Sequence, residues 1–138
     1  MIDGATSGGG FALVEHPMPP RALGAPLHRH AREDEYSYVL EGRIGALLGE
    51  QVVYGDPGDL IFKPRREWHA FWNAGDEPAR ILEIISPAGF EGYFARVVEV
   101  FSAEGPPDLS AIESVAAEYE LEFDMASLPR LMEEHGLR

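Results

Sequence analysis

Three histidines and one acid stand at positions whose types and spacing suit a metal ion. His28 and His30 are separated by a single residue. Such a pair shares a face only on extended backbone, where side chains alternate with a period of two. Glu35 follows at the head of a strand-like run, Tyr36-Ser37-Tyr38-Val39-Leu40-Glu41-Gly42. The same period separates it from its neighbour Asp34: Glu35 falls in phase with Ser37 and Val39, whereas Asp34 falls with the tyrosines or in the turn. His69 lies far along the chain, in Glu67-Trp68-His69. Imidazole nitrogens and one carboxylate oxygen aimed into a shared interior form a donor set for one divalent first-row metal ion per chain. On an octahedral ion such a set leaves positions open for water, a ligand or dioxygen, and Fe, Mn, Ni, Co and Zn all suit it. Taken alone, His69 between Trp68 and Ala70 reads as a hydrogen-bonded core histidine; the other three residues make it a ligand. His16, before a proline in an edge strand, and His135, in a last helical turn where a histidine suits the dipole, carry no functional weight. Asn73 is expected to shape a turn, and Glu33 and Asp34 to belong to a solvated acidic turn.

Positioning these groups requires strands. From Leu23 to Ser86 the chain is a succession of short strand-like runs, including Ile44 to Leu48, Gln51 to Tyr54, Leu60 to Lys63, Trp68 to Trp72 and Ala79 to Ile85. An earlier run, Phe11 to His16, is expected to stop at Pro17. Turn signals such as Asp56-Pro57-Gly58-Asp59 and Asn73-Ala74-Gly75-Asp76 punctuate them, the pattern of an antiparallel sandwich or barrel. Beyond Pro87 the period changes: Phe90, Tyr93, Phe94, Val97, Val98 and Phe101 form a helical stripe. Gly105-Pro106-Pro107 breaks it, a second helix runs to Tyr119 from a cap at Asp108 or Ser110, and a third covers about Ser127 to His135, ended by Gly136. The expected organisation is a flexible arm over residues 1–10, a β-barrel over 11–86 and a helical extension over 87–138 packed on the barrel.

Composition narrows the partners. With 24 acids against 11 Lys and Arg and a formal net charge of −13, the chain lacks the basic footprint that nucleic acid demands, so no nucleic-acid partner is expected. It contains no cysteine, which excludes disulfides and thiolate ligands and fits a cytoplasmic setting. No run approaches the roughly 18–20 apolar residues of a membrane span, and the first ten residues lack the basic and apolar stretches of a signal peptide. Exposed strand edges and the apolar stripe suggest a homodimer, the alternative for the stripe being its own barrel.

The spacings also resemble the two motifs of the cupin superfamily, G-x5-H-x-H-x3,4-E-x6-G and G-x5-P-x-G-x2-H-x3-N. His28, His30, Glu35 and Gly42 match the first, with Ala22 at the opening glycine and Gly24 nearby; Gly58, Pro64, His69 and Asn73 match the second. Arg66 replaces the middle glycine, so a different backbone geometry is expected at that turn. Fifteen residues separate Gly42 from Gly58, the short linker of compact single-domain bacterial cupins. The resemblance implies a jelly-roll β-barrel (a double-stranded β-helix) with His28, His30, Glu35 and His69 as metal ligands. Phe71 and Val39, sharing faces with His69 and Glu35, and Phe90 and Tyr93 from the first helix are the candidate pocket lining, although plain core packing is the default reading for any one of them. Arg29 and Arg32 are placed to meet an anionic substrate or simply to face solvent. The function implied is a quercetin-dioxygenase-like enzyme that oxidises, isomerises or cleaves an oxygen-bearing small molecule, a metal-dependent dioxygenase or isomerase, with Glu35 as catalytic proton acceptor. The alternative is a non-catalytic small-molecule-binding or sensor module; fold alone does not decide between them.

Overall fold

Alternation of buried and exposed side chains organises residues 12–86 into eight strands: β1 (Ala12–Met18), β2 (Leu27–His30), β3 (Asp34–Glu41), β4 (Ile44–Leu48), β5 (Gln51–Gly55), β6 (Leu60–Lys63), β7 (His69–Asn73) and β8 (Ala79–Ser86). The structure is a computed structural model describing residues 1–138. The strands pair antiparallel as β1 with β8, β2 with β7, β3 with β6 and β4 with β5. One sheet runs β1-β8-β3-β6 and the other β5-β4-β7-β2-β9, where β9 is Leu121–Asp124. This nested pairing, with the two sheets facing each other, is the jelly-roll double-stranded β-helix.

In β8 the inward positions Ala79, Ile81, Glu83 and Ile85 alternate with half-buried Arg80, Leu82, Ile84 and Ser86. Glu35, Ser37 and Val39 of β3 stand opposite Ile85, Glu83 and Ile81, so each inward layer contains one residue from each strand. Met18, Val39, Ile44, Ala46, Ile61, Ala79 and Ile81 close one end of the interior as an apolar cluster. β4 and β7 are buried on both faces, because α4 (Ser127–His135) lays Leu131, with Leu137 beyond it, over Leu47, Ala70 and Trp72. That second covering removes the alternation from their sequences. Gly45 faces Trp72 across the pair, and a Cβ there would lie 2.4 Å from the indole.

Several local expectations change. β1 continues through Pro17 to Met18; it is an edge strand, so the missing N–H forfeits no ladder bond. Residues 1–10, expected as a flexible arm, contain a one-turn helix α1 (Gly4–Ser7) capped by Asp3. Ile2 bridges Leu13, and the Gly4 N–H donates to Glu91 at 2.7 Å. The extension over 87–138 contains α2 (Glu91–Ser102), α3 (Leu109–Glu118) and α4, but also strand β9, which the helical stripes did not foretell. Phe90 and Tyr93 of the stripe are buried with Val115, Ala116, Ile85 and Ala12, whereas Val98 and Phe101 remain exposed.

Candidate metal centre

Strand β2 is four residues long and presents His28 and His30 inward, with Arg29 turned out to pair with Glu122. His28 stands directly opposite His69, the first residue of β7, and Glu35 enters at the second position of β3. One ligand atom from each of His28, His30, Glu35 and His69 lies within 4.8 Å of the others, and all four side chains are buried. The expected set therefore converges.

The ring orientations are fixed from outside. His28 Nδ1 lies 2.7 Å from the Pro26 carbonyl, and His69 Nδ1 lies 3.1 Å from the Glu67 carbonyl. Carbonyl oxygens accept only, so these nitrogens donate and Nε2 is left as the lone-pair atom. His30 Nδ1 faces Glu33 Oε2 at 3.5 Å. Glu33, expected in a solvated turn, is buried there, because the β2–β3 turn folds its carboxylate back against the ring. Inward, His30 Nε2 and His69 Nε2 stand 3.4 and 3.3 Å from the two Glu35 oxygens. Neither nitrogen has a hydrogen-bond partner. Buried, unpartnered imidazole nitrogens around a carboxylate fit a divalent cation.

The electrostatics favour metal-ready protonation states. Burial, then the neighbouring His69 and His30, pushes His28 well below the ordinary imidazole value, and burial likewise lowers His69. Burial works to raise Glu35, but Lys63, His69 and His30 together outweigh it and hold the carboxyl well below its usual range. Neutral rings and an ionised acid are the forms a cation binds.

Behind Glu35 sits a group that sequence reasoning missed. Lys63, register partner of Glu35, is buried with its Nζ 3.4 Å from Glu35 Oε2 and 2.6 Å from Glu83 Oε1. Ser37 Oγ donates to the other Glu83 oxygen at 2.7 Å. Burial opposes the Lys63 charge, yet Glu83 and Glu35 raise its pKa overall; burial and the Glu35 charge push Glu83 up against the pull of Lys63. A signal was present: Glu83 interrupts the inward series Ile81-Glu83-Ile85, and Lys63 is in phase with Ile61. His16 was also set aside, yet its ring lies 5.3 Å from Phe94 and 6.4 Å from Phe71, and burial and Lys63 lower its pKa.

The proposed lining residues separate by distance. The Phe90 ring meets His30 edge-on at 4.4 Å, and Phe71 lies under the Lys63 ammonium at 4.5 Å. Tyr93 stacks behind Phe90 at 5.0 Å, while Val39 belongs to the apolar cluster below. Arg29 and Arg32 do not turn toward the centre; they pair with Glu122 and Glu120 beside β9. Asn73 donates to the carbonyls of Met18, Pro19 and Glu77 and accepts from the Gly75 N–H, holding the turn. Arg66 adopts φ 67°, the left-handed conformation that favours glycine, so the turn keeps a glycine-like geometry. Its N–H donates to the His30 carbonyl at 2.6 Å.

A double-stranded β-helix with an interior three-histidine, one-carboxylate cluster defines a class of small barrel proteins. The profile of the Cupin domain matches residues 15–85, and this chain belongs to that family. Among curated proteins it is 32% identical over 60 residues to the tetracenomycin polyketide synthase protein TcmJ of Streptomyces glaucescens, covering 44% of this chain and 40% of that one. The chain thus spans less than half the length of the curated relatives it matches. A sugar phosphate isomerase of the cupin superfamily from Silicibacter pomeroyi superposes with a TM-score of 0.53 at 27% identity, over 60% of this chain and 55% of that one. A Thermotoga maritima protein described as a predicted oxalate decarboxylase gives 0.57 at 24% identity, over 63% and 75%.

Proposed function

We propose that this chain is a metal-dependent enzyme of the dioxygenase-like kind, acting on an oxygen-bearing small molecule. The observation that carries this reading is the convergence of His28, His30, Glu35 and His69 with unpartnered ring nitrogens facing one carboxylate. When bound there, a divalent first-row cation supplies a Lewis acid and a position for oxygen ligands. Glu35, between two imidazoles and the Lys63 ammonium, is the group able to take and return a proton at its carboxylate oxygens. Phe90 and the aromatic residues behind it exclude water from the centre. The similarity to a sugar phosphate isomerase supports keeping isomerisation among the reactions worth assaying. The exposed Val98, Phe101 and Leu109 support a homodimer as part of the proposal, and the absence of cysteine supports a cytoplasmic setting.

The test begins with elemental analysis of protein purified without added metal. His30→Ala should remain folded and lose most of its metal; equal metal content in the variant refutes the ligand assignment. An oxygen electrode with a panel of diketones, enediols and flavonols should then register consumption that disappears in His69→Ala. Tight retention of a metabolite without turnover would favour the binding-module reading instead.

A further inference from the structure

Lys63 is the only lysine in the chain, and it is buried inside the barrel. The inward faces of β3, β6 and β8 that carry Glu35, Ser37, Lys63 and Glu83 otherwise contribute the apolar Val39, Ile61, Ile81 and Ile85. A buried ion pair is often no more stabilising than apolar residues of similar volume, so packing alone gives no reason for an ammonium here. The ammonium has three donors and two acidic neighbours, Glu83 Oε1 at 2.6 Å and Glu35 Oε2 at 3.4 Å, and it rests 4.5 Å over the Phe71 ring. Both carboxylates lie at ion-pair distance, which leaves one of the three ammonium N–H groups without an acidic partner. Glu83 is itself held by Ser37. The pair therefore fixes a cation against the same Glu35 oxygen that faces His69 Nε2 at 3.3 Å.

The geometry points to Lys63 as the residue that selects the ligand, by meeting a negatively charged oxygen on a small molecule bound at the centre, with Glu83 and Ser37 as its positioning residues. The ligand class is one that binds as an anion: a carboxylate, or the enolate of an enediol or diketone. The aromatic and apolar surroundings keep water away and so strengthen the contact. This inference rests on the metal-centre reading of the four ligand residues.

The experiment uses the full chain loaded with Co2+, whose visible ligand-field spectrum reports both the metal and small probes binding to it. Azide serves as the anionic probe and imidazole as the neutral one. Lys63→Met combined with Glu83→Gln removes the cation without stranding a charge. If that variant does not fold, Lys63→Met with Glu83→Leu and Ser37→Ala gives the same comparison, since it leaves neither a stranded charge at Glu83 nor a stranded hydroxyl at Ser37. The expected result is azide affinity lowered about tenfold, the loss of one charge-assisted contact, with imidazole affinity within about twofold of wild type. Unchanged azide affinity in a folded, cobalt-loaded variant overturns the inference, and so does an equal loss for both probes, which marks a merely structural role. A wild-type chain that gives no cobalt spectrum overturns the metal-centre reading itself and this inference with it.

Discussion

Removing Lys63 should destabilise the metal-free barrel far more than its replacement by an apolar pair. Lys63 is fully buried and Glu83 almost so, with 2.6 Å between their charged atoms. Breaking a buried pair by deleting one member typically costs about 3–5 kcal/mol. Lys63→Met leaves Glu35 and Glu83 in one interior with no cation between them. Protonation of Glu83, whose pKa burial already raises, relieves part of that penalty, so a loss of about 3 kcal/mol is expected. Glu83→Leu leaves Lys63 still beside Glu35 at 3.4 Å and should cost less, about 2 kcal/mol. The double change strands the Ser37 hydroxyl, which loses its acceptor. Ser37→Ala completes the swap, and the triple variant should lie within about 1 kcal/mol of wild type or above it. Urea unfolding at pH 7 after metal removal measures wild type and the four variants, and added salt should leave the ranking intact because the pair is buried. A Lys63→Met loss below about 1 kcal/mol, with no coupling to Glu83→Leu in the cycle, refutes the reasoning.

Three further outcomes follow from the same structure. The metal-free protein should lose stability as pH falls below the ordinary histidine value of 6.5: His28 and His69 titrate lower when folded, so the unfolded chain binds more protons and unfolding is favoured. Glu35, also depressed, extends the loss below 4.5, and thermal melts between pH 8 and 4 that stay level would contradict this. Arg66→Gly should leave stability unchanged or raise it by up to about 1 kcal/mol, since relief of the left-handed strain at φ 67° offsets the extra freedom of the unfolded chain; a loss beyond 1 kcal/mol in urea would refute it. Phe90→Ala removes the ring over His30 and should cost about 3 kcal/mol while speeding metal loss to a chelator; an unchanged loss rate would show that Phe90 does not cover the centre.

The ligand set was legible because period two converts sequence spacing into facing: His28 and His30 in β2, and Glu35 in phase with Ser37 and Val39, needed only that the backbone be extended. What stayed hidden depended on long-range contacts. Glu33 belongs to no regular element, so nothing in its neighbourhood told that its carboxylate would turn in against His30. Lys63 and Glu83 were in phase with buried isoleucines, but a lone charge on an apolar face reads as a conflict until its partner across the sheet is known. β9 was hidden for a different reason. Leu121 to Asp124 is four residues between two helices, too short for either period to register.

That short strand matters more to the centre than its length suggests. β2 pairs with β7 through the single register pair His28–His69, whereas β9 runs beside β2 through all four residues, Leu27 with Asp124 to His30 with Leu121. Arg29–Glu122 and Arg32–Glu120 fasten the same edge from outside, and Ser127 at the start of α4 accepts the Leu27 N–H through its hydroxyl. Phe123 packs its ring 5.8 Å from that of His28. Two of the four ligand residues therefore take their register mainly from the extension rather than from the strands of the double-stranded β-helix. α2 and α3 in turn bury Phe90 and Tyr93 beside Leu121. The segment that holds the histidine strand and the segment that places Phe90 over His30 share one apolar cluster, so loosening either alters both the reach of the ligands and the cover above them.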